Sequence, residues 1–373
     1  MGAIPESPRA VKIGGFDHVE SVVVGGGYPV SVQTMWKDRL GRSDLQGSSG
    51  AATVARVEKL GALGCAVLRF AVPDLESAEV LGELASRVRM PLVADIHFDH
   101  LIALRCLDYP IAKIRINPGN IGSREKVEAV VGKAADKGIP LRIGVNAGSL
   151  PQDLARAVDA GVKTRAEAVV EAAERELAVF DELSFTNVLV SMKTSSIRDT
   201  IAANELFASR HAVPLHLGVT EAGPLIPGVV RNAVALHSLL SRGIGSTIRV
   251  SLSDSMESEV LAGREILGAV ADSAGKEAAG RGVVIVSCPR CGRNGFDTHA
   301  FAERWRDELY SLKKDAVVAI MGCAVNGPGE ARHADIGITG AGDKVLIFRH
   351  GKIVRTVDPA DADAAFREEL ELL

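Results

Sequence analysis

Eight short runs of alternating apolar and polar residues punctuate the first two thirds of the chain. They are PVSVQTM (29–35), AVLRFAV (66–72), PLVADIH (91–97), AKIRINP (112–118), PLRIGVN (140–146), NVLVSMK (187–193), PLHLGVT (214–220) and TIRVSLS (247–253). Their Val and Ile content predicts strands. Between them lie stretches with apolar residues at helical spacing, such as TVARVEKLGALG, LESAEVLGELASRV, SREKVEAVVGKAADKG and RAEAVVEAAERELAVF. Several end in Gly just before the next strand, as in DKGIP and RGIG, where glycine closes a helix. Strand alternating with helix predicts parallel βαβ units, and eight units predict a (β/α)8 TIM barrel. An open doubly wound sheet is the alternative, but no GxGxxG follows the first strand.

Successive strand residues point to opposite faces, so each run divides into two lanes. Ile114 and Ile116 oppose Lys113, Arg115 and Asn117. Leu141, Ile143 and Val145 oppose Arg142, Gly144 and Asn146. The remaining polar lanes hold Asp95 and His97, Ser191 and Lys193, His216, Gly218 and Thr220, and Thr247, Arg249, Ser251 and Ser253. The apolar lane packs on the helices, which turns the polar lane toward the barrel interior. Arg69, Arg115, Arg142, Lys193 and Arg249 then converge toward the strands' C-terminal ends, where barrel enzymes place their active sites. Such cations repel one another unless an anion or carboxylates offset them, so a polyanionic, phosphorylated substrate is expected. The loops that follow, with Asn120, Gly122, Gly148 and Gly223, offer backbone N–H groups to phosphate.

Composition narrows the class. The chain has 373 residues, 47% hydrophobic and 24% charged, enough for two or three domains with a real core. A net charge of −4 gives no global basic field for nucleic acid, and 4% aromatics leaves little for base stacking. No apolar run approaches membrane-span length and the N-terminus has no signal-peptide core, so a cytoplasmic protein is expected.

A small-residue stretch, SAGKEAAGRG (273–282), reads as a linker between a barrel at 1–272 and an α+β module at 283–373. The module's pattern is strand (VVIVSC), helix (HAFAERWRDELYSL), strand (AVVAIMGC), turn (AVNGPGE), three strands (ADIGIT, KVLIFRH, KIVRTV) and a final helix. Of the five cysteines, Cys65 and Cys106 sit in apolar contexts and read as buried small hydrophobes. Cys288 and Cys291 form a CxxC at a strand end, and Cys323 ends another strand, 32 residues later. Three thiols at strand ends point to a metal or cluster. Spacing alone leaves an iron–sulfur cluster, a zinc site and a redox thiol open, with His299, His333 or Glu330 as a fourth ligand.

Together, SVQTM, PLVADIHFD, KIRINPGNIG, RIGVNAGSL, PLHLGVTEAG, GIGSTIRVSLS, SCPRCGR and GCAVNGPGEA closely resemble the bacterial 4-hydroxy-3-methylbut-2-enyl diphosphate synthase family of the non-mevalonate isoprenoid pathway. The resemblance spans residues 31–331 and fits the two-domain bacterial form. It implies reductive ring opening of 2-C-methyl-D-erythritol 2,4-cyclodiphosphate, with loss of water and uptake of two electrons from flavodoxin or ferredoxin. It implies a [4Fe-4S] cluster held by Cys288, Cys291, Cys323 and Glu330, with Glu330 exchangeable and hence catalytic. The substrate ligands it implies are Arg69, Arg115, Arg142, Asn146, Lys193, Arg249 and Ser251. Asn326 is a further candidate contact, and Asp95 or His97 are candidates for proton transfer.

The chain departs from the family pattern at Trp36-Lys37-Asp38-Arg39-Leu40, where members carry small polar residues. It departs again at Asp254–Glu259, which lacks a Pro, and the linker looks longer than usual. A short linker starting at the bottom of the barrel cannot easily carry a domain back over its own mouth. The expectation, which the resemblance shares, is a head-to-tail homodimer with composite active sites. The rival enzyme class is a barrel transferase or lyase on a phosphorylated substrate, with a structural zinc domain.

Overall fold

The computed structural model describes residues 7–275, 282–289, 291, 295–323 and 332–373. The chain divides into two compact units, Met1–Lys276 and Glu277–Leu373.

The first unit opens with an antiparallel hairpin, β1 (Val11–Gly14) and β2 (Ser21–Val24). Eight parallel strands follow: β3 (Ser31–Met35), β4 (Val67–Ala71), β5 (Leu92–Asp95), β6 (Lys113–Ile116), β7 (Leu141–Asn146), β8 (Val188–Lys193), β9 (His216–Leu217) and β10 (Thr247–Ile248). Their order is β8-β7-β6-β5-β4-β3-β10-β9, and a parallel bridge between Val190 and Leu215 joins β8 to β9 and closes the barrel. Each run expected from the sequence contains one of these strands. The last two are shorter than their runs. Past them the pairing continues irregularly, with the Arg249 N–H donating to Leu217 O at 3.0 Å.

The helices are ordinary amphipathic covers of the barrel. The longest between β7 and β8, Arg165–Glu182, starts with a capping box in which Thr164 and Glu167 satisfy each other's backbone N–H groups. The helix after β10, Met256–Ser273, is capped by the Ser255 side chain and carries Glu257 and Glu259 in its first turn. The hairpin was not foreseen. Its Val11, Ile13 and Val24, with Val19, pack on Val67, Val93, Ala112 and Leu189 at the strands' N-terminal ends, which stoppers the barrel from below.

The second unit is a five-stranded sheet of β11 (Val283–Ser287), β12 (Ala316–Met321), β13 (Ile336–Ala341), β14 (Lys344–Arg349) and β15 (Lys352–Val357), in sequence order. The first three strands run parallel and the last two antiparallel. Helices Thr298–Ser311 and Ala362–Glu371 bury Phe301, Trp305, Leu309, Phe366 and Leu370 against Val318, Ile320, Ile336 and Ile338. Phe366 meets Phe301 and Trp305 edge-on, with centroids 5.2 and 5.0 Å apart. A smaller cluster of Ala319, Met321, Ala334 and Phe348 has Cys288 packed against it.

Candidate active site

The polar lanes do turn inward. Gln33, Lys113, Arg115, Arg142, Ser191, Lys193, His216 and Thr247 are all buried inside a barrel whose opposite lanes pack on the helices. Arg69 and Arg249 are more open, with side chains 13% and 15% exposed, as befits the rim of a mouth.

Two carboxylates organise the upper layer. Asp95 lies 3.1 Å from Arg115 Nη1 and 3.6 Å from Arg69 Nε. Burial opposes its ionisation, but Arg69, a hydrogen bond from His97, Arg115 and Arg142 outweigh it and hold the carboxyl well below the ordinary aspartate value. Asp95 is therefore a fixed anion. Arg115 also donates to Gly144 O at 2.8 Å. Residue 144 must be glycine for this, because a Cβ there would sit 2.2 Å from Arg115 Nε. His97 stands exposed beside the pair, its Nδ1 3.3 Å from Arg115 Nη1 and its Nε2 3.6 Å from Asp95.

The second carboxylate is Glu259, which sequence reasoning did not single out. It is fully buried and accepts from Arg249 Nε and Nη2, both at 3.1 Å, from Thr34 Oγ1 at 2.6 Å and from Leu252 N at 3.1 Å. Lys37, in the departing loop after β3, reaches the same carboxylate at 3.1 Å. It also donates to Leu252 O at 2.7 Å and to Asp254 O. The unusual loop thus ties the end of β3 to the segment after β10. Trp36 anchors it, stacked on Phe70 at 5.3 Å with Arg56 over its ring.

Arg69 and Arg249 both turn toward Met35, whose sulfur accepts at 3.2 Å from Arg69 Nε and 3.6 Å from Arg249 Nη1. A thioether is a weak acceptor, so both guanidiniums keep donor capacity for a stronger anion. Arg142 donates to Ser191 Oγ at 2.5 Å, and Lys193 lies 3.1 Å from His216 Nε2. Asn146 ends β7 in register with Lys193, and Ser251 is half-buried beyond β10. Arg69 and Arg115 thus gather at Asp95 and Arg249 at Glu259, while Arg142 sits in register with Arg115 and Lys193 is the last residue of β8.

In the second unit, Cys288 follows β11 directly and its N–H donates to Ile320 O at 2.9 Å, while Cys323 lies two residues past the parallel neighbour β12. Gly295 N donates to Gly322 O at 2.8 Å, which stitches the segment after the CxxC to the residue before Cys323. Cys323 is buried, Cys288 half-buried and Cys291 exposed, and none of the three is in a disulfide. Three thiols on segments joined by backbone hydrogen bonds form a soft donor set that fits an iron–sulfur cluster. Among the described residues, no three His, Cys, Asp or Glu side chains close on a metal-ion position. Glu330 and Asn326 lie outside the described residues. His299 and His333 are exposed. Cys65 and Cys106 are buried hydrophobes as expected, each thiol pushed up to about 12 by burial.

The pattern that defines the GcpE TIM-barrel domain matches residues 17–264, and that of the GcpE protein C-terminal domain matches 284–372. A protein of Treponema pallidum named 4-hydroxy-3-methylbut-2-en-1-yl diphosphate synthase (flavodoxin) is 55% identical, over 98% of this chain and 92% of its own. Proteins of the same name from Treponema denticola and Geobacillus thermodenitrificans are 50% and 43% identical, over 98% of this chain and 98% and 92% of theirs. With a barrel whose interior is lined by arginine and lysine and a second unit that carries three strand-end cysteines, the chain belongs to the GcpE family.

Proposed function

We propose that the chain is an iron–sulfur oxidoreductase that converts 2-C-methyl-D-erythritol 2,4-cyclodiphosphate to 4-hydroxy-3-methylbut-2-enyl diphosphate in isoprenoid precursor biosynthesis. The observation that carries this reading is the agreement between near-full-length relatives of that name and a barrel interior in which arginines and lysines outnumber carboxylates. The relatives' name points to flavodoxin as electron donor, with ferredoxin as the alternative. No helix among the described residues is long and apolar enough to cross a membrane, and we place the protein in the cytoplasm.

In this reading Arg69, Arg115, Arg142 and Arg249 receive the cyclic diphosphate, with Lys193, Asn146 and Ser251 at the strand ends. Their bidentate and point-charge donors orient the ring and stabilise the diphosphate charge that develops as the ring opens. Asp95, pinned between arginines, keeps Arg69 and Arg115 in place and is a poor proton donor. His97, exposed beside it, is the better placed of the two to deliver a proton to the departing hydroxyl. Cys288, Cys291, Cys323 and Glu330 would hold a [4Fe-4S] cluster, and Asn326 would be a further contact to the substrate. When bound, that cluster supplies the electrons and a Lewis-acidic iron. We assign Glu330 as the exchangeable ligand, because a carboxylate holds such an iron less firmly than thiolate does.

We further infer a homodimer with composite sites. Mixing a Cys323→Ala chain with an Arg142→Ala chain, each inactive alone, then restores activity. No recovery after verified subunit exchange points to sites built within one chain. A barrel lyase or transferase with a structural zinc would be colourless and need no reductant, and the names of the relatives speak against it.

The reading is tested by growth. A bacterium lacking its own enzyme for this step, kept alive by an added isoprenoid precursor, grows without the supplement when it expresses this chain. Failure of a soluble, iron-loaded protein to rescue growth contradicts the assignment.

A further inference from the structure

A single helical turn, Pro118–Ile121, follows β6 and continues the chain beyond Arg115 at the C-terminal end of the strand. One turn does not sustain itself in water, because too few hydrogen bonds offset the cost of its nucleation. Its N-cap residue, Asn117, gives it no side-chain cap. That side chain is buried and turned to Glu176, on helix Arg165–Glu182. The amide nitrogen lies 2.8 Å from Oε1 and 3.3 Å from Oε2, since an oxygen there would face a carboxylate. Gly119 N donates to the same two oxygens, at 3.1 and 2.9 Å. The Asn120 N–H, expected from the sequence to meet phosphate, donates instead to Asn117 O at 2.9 Å. The turn is thus held by one carboxylate from a neighbouring helix and by the burial of Ile121.

On the reading of function given above, we propose that Glu176 is a positioning residue: it clamps Asn117 and Gly119, and through them the end of β6 that presents Arg115 to the diphosphate.

Only a carboxylate suits both donors. It is acceptor-only, whereas a glutamine would turn an NH2 group on Asn117 or Gly119. The fit is also close. A Cβ at residue 119 would sit 2.5 Å from Glu176 Oε1, although the backbone there is helical and accepts any side chain. Glycine at 119 therefore serves the carboxylate and not the turn. Two residues separate Asn117 from Arg115, whose guanidinium donates to Asp95 at 3.1 Å and to Gly144 O at 2.8 Å. Bonds of that length and direction tolerate little movement of the strand end. The helix that carries Glu176 is itself fixed, with Ala172, Ala173, Leu177 and Phe180 buried.

Among the described residues no cation pairs with Glu176. Charged groups on the elements around it are committed elsewhere: Arg124 to Glu128 and Glu182, Arg175 to Asp153 and Glu171, and Arg210 and His211 to Glu174, while Lys126 lies along Gly122. Burial therefore raises the Glu176 pKa above the ordinary 4.5, and the Gly119 N–H offsets this only in part. A carboxylate kept at this cost, where no ion pair returns it, fits a functional constraint better than a structural one.

The test uses the cluster-loaded protein without oxygen, with inorganic pyrophosphate as the ligand probe and amide hydrogen exchange as the probe of the turn. Glu176→Gln and Gly119→Ala both break the clamp, the second without altering the carboxylate. In each, exchange across residues 117–121 quickens by about tenfold, the scale of one lost charge-assisted hydrogen bond, and the pyrophosphate dissociation constant rises by a similar factor. With the cyclic diphosphate, KM rises by about tenfold while kcat stays within about twofold. Wild-type kcat/KM falls on the acid side as Glu176 takes up a proton, with an apparent pKa above 4.5, and Glu176→Gln lacks that limb. If Glu176→Gln does not fold, Gly119→Ala decides alone. Faster exchange with unchanged pyrophosphate affinity means that the clamp only supports the fold and overturns the proposal, as does unchanged exchange. A wild type that binds pyrophosphate yet fails to turn over the cyclic diphosphate would sink the proposed activity, and the pyrophosphate comparison would still decide the role of Glu176.

Discussion

Glu259 grips both arms of the Arg249 fork, its Oε2 accepting from Nε and its Oε1 from Nη2, each at 3.1 Å. The guanidinium plane is thereby fixed while Nη1 faces the Met35 sulfur. Glu259→Gln keeps the shape but removes the charge and one acceptor. The expected loss is about 1.5–3 kcal/mol of binding, the scale of a charge-assisted hydrogen bond, read as a 10- to 150-fold fall in kcat/KM. Visible absorption of the cluster stays unchanged. Unaltered kinetics would show that Arg249 is oriented by something other than Glu259.

The same carboxylate gives a pH signature. Burial raises the Glu259 pKa, but Arg249, through its charge and hydrogen bond, with Thr34 and Leu252, lowers it below the ordinary value of 4.5. A depressed folded-state pKa contributes stability that is fully present above the unfolded value and is lost as pH falls through the folded one. Wild type is therefore expected to exceed Glu259→Gln in unfolding free energy above pH 4.5, with the gap closing as the pH drops below that value. Denaturant melts at a series of pH values measure it. A gap that stays constant through the acid range would contradict the ion-pair account.

Lys37 spans from the end of β3 to the segment after β10, and its side chain is 28% exposed. Solvent screening makes its pairing weaker than that of Arg249. Lys37→Ala is expected to raise KM by about 3- to 10-fold, consistent with roughly 1 kcal/mol, and to leave kcat nearly unchanged. Lys37→Arg retains the charge and recovers part of the loss. Steady-state kinetics on the two variants separates loop anchoring from an incidental surface contact.

Gly144→Ala forces a methyl group against Arg115, at 2.2 Å from Nε before any movement. Overpacking of this kind costs about 1–3 kcal/mol of stability, and the displaced guanidinium lowers kcat/KM by more than about tenfold. Gly132→Ala is the control. It lies in helix Arg124–Asp136 with nothing within 4 Å of its Cβ position, so that change is neutral or stabilises by up to about 1 kcal/mol. Equal behaviour of the two variants would mean that Arg115 does not depend on its glycine neighbour.

Much of the barrel was legible because its chemistry is periodic. Lys113, Arg115 and Asn117 alternate with isoleucines, and a period of two fixes which side faces inward whatever the rest of the chain does. Arg142, Lys193 and His216 became inward residues by the same rule. Glu259 was not legible. A glutamate in the first turn of a helix reads as favourable dipole chemistry at the surface, and its partner Thr34 lies 225 residues away. Lys37 was visible only as a departure from the family pattern, with no local signal for what it would reach. The β1–β2 hairpin escaped because its strands have four residues each and its stabilising partners are the far ends of the barrel strands. The strand-end cysteines were legible as a group from sequence, since a CxxC and a later cysteine each follow a β-branched run.

The most direct measurement is anaerobic conversion of 2-C-methyl-D-erythritol 2,4-cyclodiphosphate by the iron-loaded protein with reduced flavodoxin, with the product identified by mass and NMR. Wild type is expected to form 4-hydroxy-3-methylbut-2-enyl diphosphate, and Cys323→Ala to form none while its barrel remains folded. Product from an iron-free protein, or none from an iron-loaded wild type given a competent donor, would contradict the division of labour between a cationic barrel and a cysteine-held cluster.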